Sequence, residues 1–132
     1  MKTITIRTDK RQQFVDITRE VRQAVAESGV KEGVAVVFTP HTTAGVTINE
    51  NADPDVLRDL ALTYSSVFPD RADYLHCEGN SDAHMKSSVT GCQTTLIISG
   101  GSVVLGVWQN VYFCEFDGPR TRKVYVQTAG DK

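Results

Sequence analysis

The sequence predicts an α+β fold, a mostly antiparallel β-sandwich with about three helices in a single domain. Apolar residues alternate with period two, or run unbroken over strand length, in about eight short segments. Helical periodicity is confined to the first two-thirds of the chain. Strands and helices do not alternate regularly, which argues against a doubly wound parallel sheet. The 132 residues suit one domain, and about two-thirds of the extended chain's surface can be buried without disulfides or a structural metal.

Each element has its own signal. Thr3–Arg7 alternates, and Gln13–Ile17 does so again after a short turn. Asp16 or Thr18 can cap a helix whose apolar stripe is Ile17, Val21, Ala24 and Val25, with Gly29 as its stop. Gly33–Phe38 is continuously apolar, as a central strand would be, and Pro40 ends it. Val46–Ile48 makes another short strand. Asp53-Pro54 is an N-cap followed by proline at the first helical position, and Val56, Leu57, Leu60, Ala61 and Tyr64 form one face of that helix. Ser81–Val89 is a third helix. Gly100-Gly101 joins Thr94–Ser99 to Ser102–Leu105 as a hairpin. Asn110–Phe116 and Lys123–Thr128 form a further pair, joined through Asp117-Gly118-Pro119-Arg120.

Composition excludes several classes of function. Fourteen Lys and Arg against sixteen Asp and Glu give a net charge of −2, and the pI of 5.9 argues against broad nucleic-acid binding. A hydrophobic fraction of 40% excludes disorder. No apolar run approaches the roughly 18–20 residues of a membrane span, and no signal peptide opens the chain. We therefore expect no membrane partner and a cytoplasmic location. Cys77, Cys92 and Cys114 are odd in number and lack a C-x-x-C pair, so neither a disulfide framework nor a zinc knuckle is implied. Free cysteines are commonly core residues, with Cys77, between His76 and Glu78, the exception to watch.

Only three histidines occur, His41, His76 and His84, each in a polar segment at the end of an apolar element. Three imidazoles with one open position make a catalytic zinc arrangement. Gly79-Asn80 can reverse the chain so that His76 and His84 face one cleft, with His41 completing the set. Glu78 can orient a ligand or act as a base. The spacing matches no standard zinc motif, so three hydrogen-bonded or surface histidines remain the other reading. Glu50 has no local structural task, whereas Asp53 caps a helix and Asn51 suits a turn. Arg120, Arg122 and Lys123 can grip a phosphate or simply solvate a strand end. Trp108 and Gln109 remain ambiguous between core, interface and site.

Three long segments resemble the YjbQ family, named secondary thiamine-phosphate synthase. They are His41–Asp55, with the run His41-Thr42-Thr43-Ala44-Gly45 and the stretch Asn49-Glu50-Asn51-Ala52-Asp53; His76-Cys77-Glu78-Gly79-Asn80-Ser81-Asp82-Ala83-His84-Met85-Lys86; and Leu105–Gln109 with Phe113–Arg120. The resemblance spans essentially the whole chain. It implies a small β-sandwich assembling as a homotrimer, with the three histidines in a polar cleft near a subunit boundary. That cleft would hold a divalent metal, zinc-like by its ligands although magnesium is the commoner partner of diphosphates. The activity implied is weak thiamine-phosphate synthesis, joining a pyrimidine diphosphate to a thiazole phosphate with release of pyrophosphate. The metal and Arg120 with Lys86 would then stabilise the leaving pyrophosphate, and Glu50, Glu78 or Glu115 the cationic pyrimidine methylene. Asn51, Asn80 and Gln109 would contact a small phosphorylated metabolite. A zinc-type hydrolase, or a trimer that only binds metal or anionic metabolites, accommodates the same residues.

Overall fold

A computed structural model describes all 132 residues. The order is β1 (Lys2–Arg7), β2 (Gln13–Asp16), α1 (Thr18–Ser28), β3 (Glu32–Phe38), β4 (Ala44–Glu50), α2 (Pro54–Val67), α3 (Ser81–Thr90), β5 (Gln93–Ser99), β6 (Ser102–Val103), β7 (Gln109–Glu115) and β8 (Thr121–Asp131). Every strand pairing is antiparallel. One sheet has the order β1-β8-β3-β5-β6 and the other β2-β7-β4. The two sheets make the expected sandwich.

Alternation decides what fills it. Ile4 and Ile6 of β1, Ala35 and Val37 of β3, Leu96 and Ile98 of β5, and Val124 and Val126 of β8 point inward from the larger sheet. Ala44 and Val46 of β4 and Val111 and Phe113 of β7 meet them from the smaller one. Helix α1 adds Val21, Ala24 and Val25 and ends at Gly29, whose φ of 75° is the left-handed stop that glycine supplies. Its first turn departs from expectation. Neither Asp16 nor Thr18 is the N-cap, which is Ile17; Asp16 instead accepts hydrogen bonds from the Thr18 amide and hydroxyl.

Strand β7 is covered on both faces. Tyr112, Cys114 and Phe116 point away from the sandwich and are as buried as Val111, Phe113 and Glu115. Phe14, Tyr64 and Ala83 lie on that outer face with Cys114 and Phe116, so α2 and α3 form a third layer over the smaller sheet. Asp53 caps α2 as the sequence predicts, accepting from the Asp55 amide, but the predicted apolar face of α2 is only half-buried. At Gly45 a Cβ would stand 2.8 Å from the Thr90 methyl, so only glycine lets the end of α3 approach β4 this closely.

Further expectations are corrected. β7 and β8 do not pair: β7 lies between β2 and β4, while β8 lies between β1 and β3, so the Asp117–Arg120 turn crosses from one sheet to the other. β8 is also longer than predicted because it pairs along both edges, from Arg7↔Thr121 to Glu32↔Asp131. Among the thiols only Cys114 is buried; Cys77 and Cys92 are exposed. Burial pushes the Cys114 thiol well above its ordinary range, so it stays protonated and inert.

Candidate functional site

The β1–β2, β3–β4 and β7–β8 loops converge at one end of the sandwich with the segment leading into α3. They enclose an open cleft of about 580 Å³ lined by Arg11, Thr42, Thr43, His76, Glu78, Gly79, Asn80, His84, Asp117 and Arg120, with no hydrophobic side chain among them.

Behind the lining residues Thr43 and Asp117 lies a buried ion pair. Glu115, at the end of β7, and Arg122, at the start of β8, are 0% and 2% exposed. Arg122 Nε donates to both carboxylate oxygens of Glu115 at 2.9 and 3.1 Å, and its Nη2 also reaches that carboxylate. The same Nη2 donates to the carbonyl and hydroxyl oxygens of Thr43. Glu115 further accepts from the Thr8 hydroxyl at 2.8 Å and the Asp117 amide at 3.1 Å. Burial alone would raise the Glu115 carboxyl, but the bonds from Arg122 and Thr8 outweigh it and hold the group below its ordinary value. Three cleft-lining loops thus hang from one ion pair.

Two arginines line the cleft itself. Arg11 makes a two-pronged contact to Asp82, its Nη1 and Nη2 donating at 3.1 and 3.0 Å. Arg120 donates from Nε to the Asp117 carbonyl and from Nη2 to the Asp117 carboxylate. A guanidinium has five N–H donors, so each arginine is fixed in place and retains N–H groups for a ligand. Beneath Arg11, Asp82 also accepts from Lys86 at 3.3 Å, and these two side chains are 4% and 3% exposed. Burial raises the Asp82 carboxyl, yet Arg11 and Lys86 together hold it low.

The histidines divide unequally. The His76 and His84 rings meet edge to face with centroids 5.4 Å apart. His76 Nε2 lies 3.0 Å from Asn80 Oδ1 and 3.8 Å from Glu78 Oε2, and Asn80 passes its amide on to Asp117 at 2.9 Å. His41 lies in a neighbouring cavity with His84, where its Nε2 accepts the Lys123 backbone N–H at 3.0 Å. That bond places the proton of neutral His41 on Nδ1. Burial, followed by the Arg122 charge, keeps its pKa below the usual histidine value. No group of three or more His, Cys, Asp and Glu side chains is close enough to hold a metal ion, so the three imidazoles are neighbours rather than a ligand cluster.

The structure therefore brings together His76, His84, Glu78, Asn80 and Arg120, with His41 next door. Glu115 and Lys86 lie beneath the cleft as halves of buried ion pairs. Glu50, Asn51 and Gln109 lie elsewhere: they sit at the far end of the β4–β7 pair, about seven residues and 20 Å along the strands from Thr43. There Asn51 Nδ2 donates to the Val107 carbonyl and Gln109 accepts from the Gly106 amide, tying down the loop that exposes Trp108. Sequence reasoning missed Arg11, Asp82 and Asp117. Arg11 lies in a short polar turn, and only its fork to Asp82, 71 positions away, marks it.

Gly118 holds two walls of the cleft together. Its amide donates to the Arg11 carbonyl at 3.0 Å, and a Cβ there would meet the Lys10 carbonyl and lie 2.8 Å from Thr8 Oγ1. Gly118→Ala is expected to destabilise the protein by about 1–3 kcal/mol through overpacking, read as a lowered urea midpoint at unchanged slope.

This fold and polar cleft place the chain among small two-sheet α+β proteins with a charged loop-end site. It belongs to the YjbQ-like UPF0047 protein family, whose model matches residues 2–131. A UPF0047 protein of Methanocaldococcus jannaschii is 54% identical over 96% of this chain and 92% of its own. The UPF0047 protein YugU of Bacillus subtilis is 50% identical over 98% and 99%. Among solved structures, a YjbQ/UPF0047 family protein of Clostridium acetobutylicum superposes with a TM-score of 0.95 at 54% identity, covering 98% of this chain and all of that one. A YbjQ-like protein of unknown function from Sulfolobus solfataricus reaches 0.95 at 29% identity, covering 98% and 96%.

Proposed function

We propose that the cleft binds the phosphate end of a small phosphorylated metabolite. The observation that carries this reading is the pair Arg11 and Arg120, two guanidiniums pinned by carboxylates in the lining of one cleft without hydrophobic side chains. Fixed guanidiniums lose little entropy on binding and match phosphate geometry. The N-terminus of α3 opens at Asn80 in the same cleft. Asn80 is not spent as a side-chain cap, so the helix contributes positive potential and free amides there.

Capture of a diphosphate is also the first requirement of the thiamine-phosphate synthase reaction that the family resemblance implies. In that reaction Arg11 and Arg120 would stabilise the departing pyrophosphate. Turnover of the two precursors no better than that of an Arg120→Ala variant would remove this use of the cleft.

The His76–His84 spacing favours a second reading, a zinc-like divalent ion on two imidazoles. Two ligands of one tetrahedral ion have ring centroids about 5 Å apart, close to the 5.4 Å between these rings. Glu78 Oε2, 3.8 Å from His76 Nε2, does not complete a three-ligand set with them, so such an ion would rest on the two imidazoles and water. Such an ion would add positive charge opposite the phosphate. We also propose that the chain forms a homotrimer, as the family resemblance implies; the exposed Val34 and Ile97 and the stacked Phe38 and Tyr125 on the outer face of the larger sheet offer an apolar surface for self-association.

Titration calorimetry with inorganic phosphate and pyrophosphate tests the main reading. Arg11→Ala and Arg120→Ala should each weaken binding about tenfold, as befits loss of a charge-assisted contact. Absence of binding to the wild-type protein refutes it. Elemental analysis and the solution mass of the same sample decide metal content and assembly.

A further inference from the structure

The cleft does not end at His84. A second cavity of about 480 Å³ lies beyond it, and the two share Thr42 and His84 as common wall. The second cavity has a different chemistry. It contains no guanidinium and no carboxylate; His41, Ser87, Ser88 and Cys92 complete its lining with the Gly91 backbone. The Ser87 hydroxyl is committed to the Ala44 carbonyl at 2.6 Å. Thr42, Ser88 and the Nδ1 of His41 remain as neutral hydrogen-bonding groups. No aromatic side chain lines either cavity beyond the imidazoles, and no aliphatic one does.

We infer that the ligand is a phosphomonoester of a hydroxyl-rich carbon skeleton, a sugar or polyol phosphate, bound across His84. The inference rests on the phosphate reading above and adds the class of the organic part. The phosphate lies against Arg11 and Arg120, the only Lys or Arg side chains in the two linings. The neutral body extends past His84 into the second cavity, where hydroxyls find partners able to donate and accept. A flat heteroaromatic body would find only the imidazoles of His41 and His84 to stack on, with no aliphatic or larger aromatic side chain beside them. A bare phosphate would leave the second cavity unused.

The test compares inorganic phosphate, ribose 5-phosphate and a hydroxyethylthiazole phosphate by calorimetry on the full chain. Ribose 5-phosphate should bind about tenfold tighter than inorganic phosphate, the gain of one or two net hydrogen bonds, and tighter than the thiazole phosphate. Ser88→Phe, at an exposed position of α3, should fill the second cavity and return ribose 5-phosphate to the affinity of inorganic phosphate, with the melting temperature confirming an intact fold. If inorganic phosphate binds but the sugar phosphate gains nothing, or the thiazole phosphate gains more, this inference is overturned and the phosphate reading stands. An unchanged sugar-phosphate gain in a folded Ser88→Phe protein also overturns it. If no phosphate binds at all, both readings fall together.

Discussion

Arg122→Ala is expected to lower the stability of the protein by about 3–5 kcal/mol, the cost of stranding one member of a buried ion pair. The size follows from the surroundings of Glu115. Its carboxylate is inaccessible to solvent, and without Arg122 it retains only the Thr8 hydroxyl and the Asp117 amide as donors. Arg122→Lys should recover only part of the loss, because one ammonium cannot serve both Glu115 and Thr43 as the planar fork does. A double variant, Glu115→Leu with Arg122→Met, separates the two duties of the pair. Burying apolar groups of similar volume can restore much of the stability. It cannot restore the bonds that set Thr43 and Asp117, so phosphate affinity should stay low while the urea midpoint recovers. Recovery of both would show that the pair holds the fold and not the cleft.

The second large effect is expected at Asp82. Asp82→Ala leaves Lys86 buried without its counterion and releases Arg11 from its fork, at a cost of about 3 kcal/mol and about tenfold in phosphate affinity. The loss has a defined pH dependence. The folded-state pKa of Asp82 is held low, so its contribution is complete above the unfolded carboxyl value, near 4, and is lost as pH falls through the lower folded value. The gap in urea midpoint between wild type and Asp82→Ala should therefore be full at neutral pH and narrow below about pH 4. A gap that stays constant into acid would mean that Asp82 is not ionised in the native protein.

Local chemistry made much of the fold legible. Alternation marked the strands because one face of nearly every strand meets the sandwich core. Asp53-Pro54 and Gly29 marked helix ends because their backbone requirements are local. The partnership of β7 was not legible. With both faces buried, its sequence does not say which layer it serves, and a short turn to β8 imitates a hairpin. The site was legible where it depends on residue type, as with His76, His84, Asn80 and Arg120. It was misleading where it depended on proximity in sequence. Glu50 and Asn51 share a segment with His41, but an extended strand carries them to the other end of the molecule. Arg11 and Asp82 acquire meaning only from each other.

The loop that displays Trp108 has an optical consequence. Trp108 is the chain's one tryptophan, 61% exposed and at the opposite end of the β4–β7 pair from the cleft. Its indole is largely in water in the folded chain, so its emission should change little on unfolding or when a ligand binds among the arginines. It brightens or shifts only when another surface covers that loop. Intrinsic fluorescence in this protein therefore reports association, while Tyr64 and Tyr112, half-buried and buried, report folding.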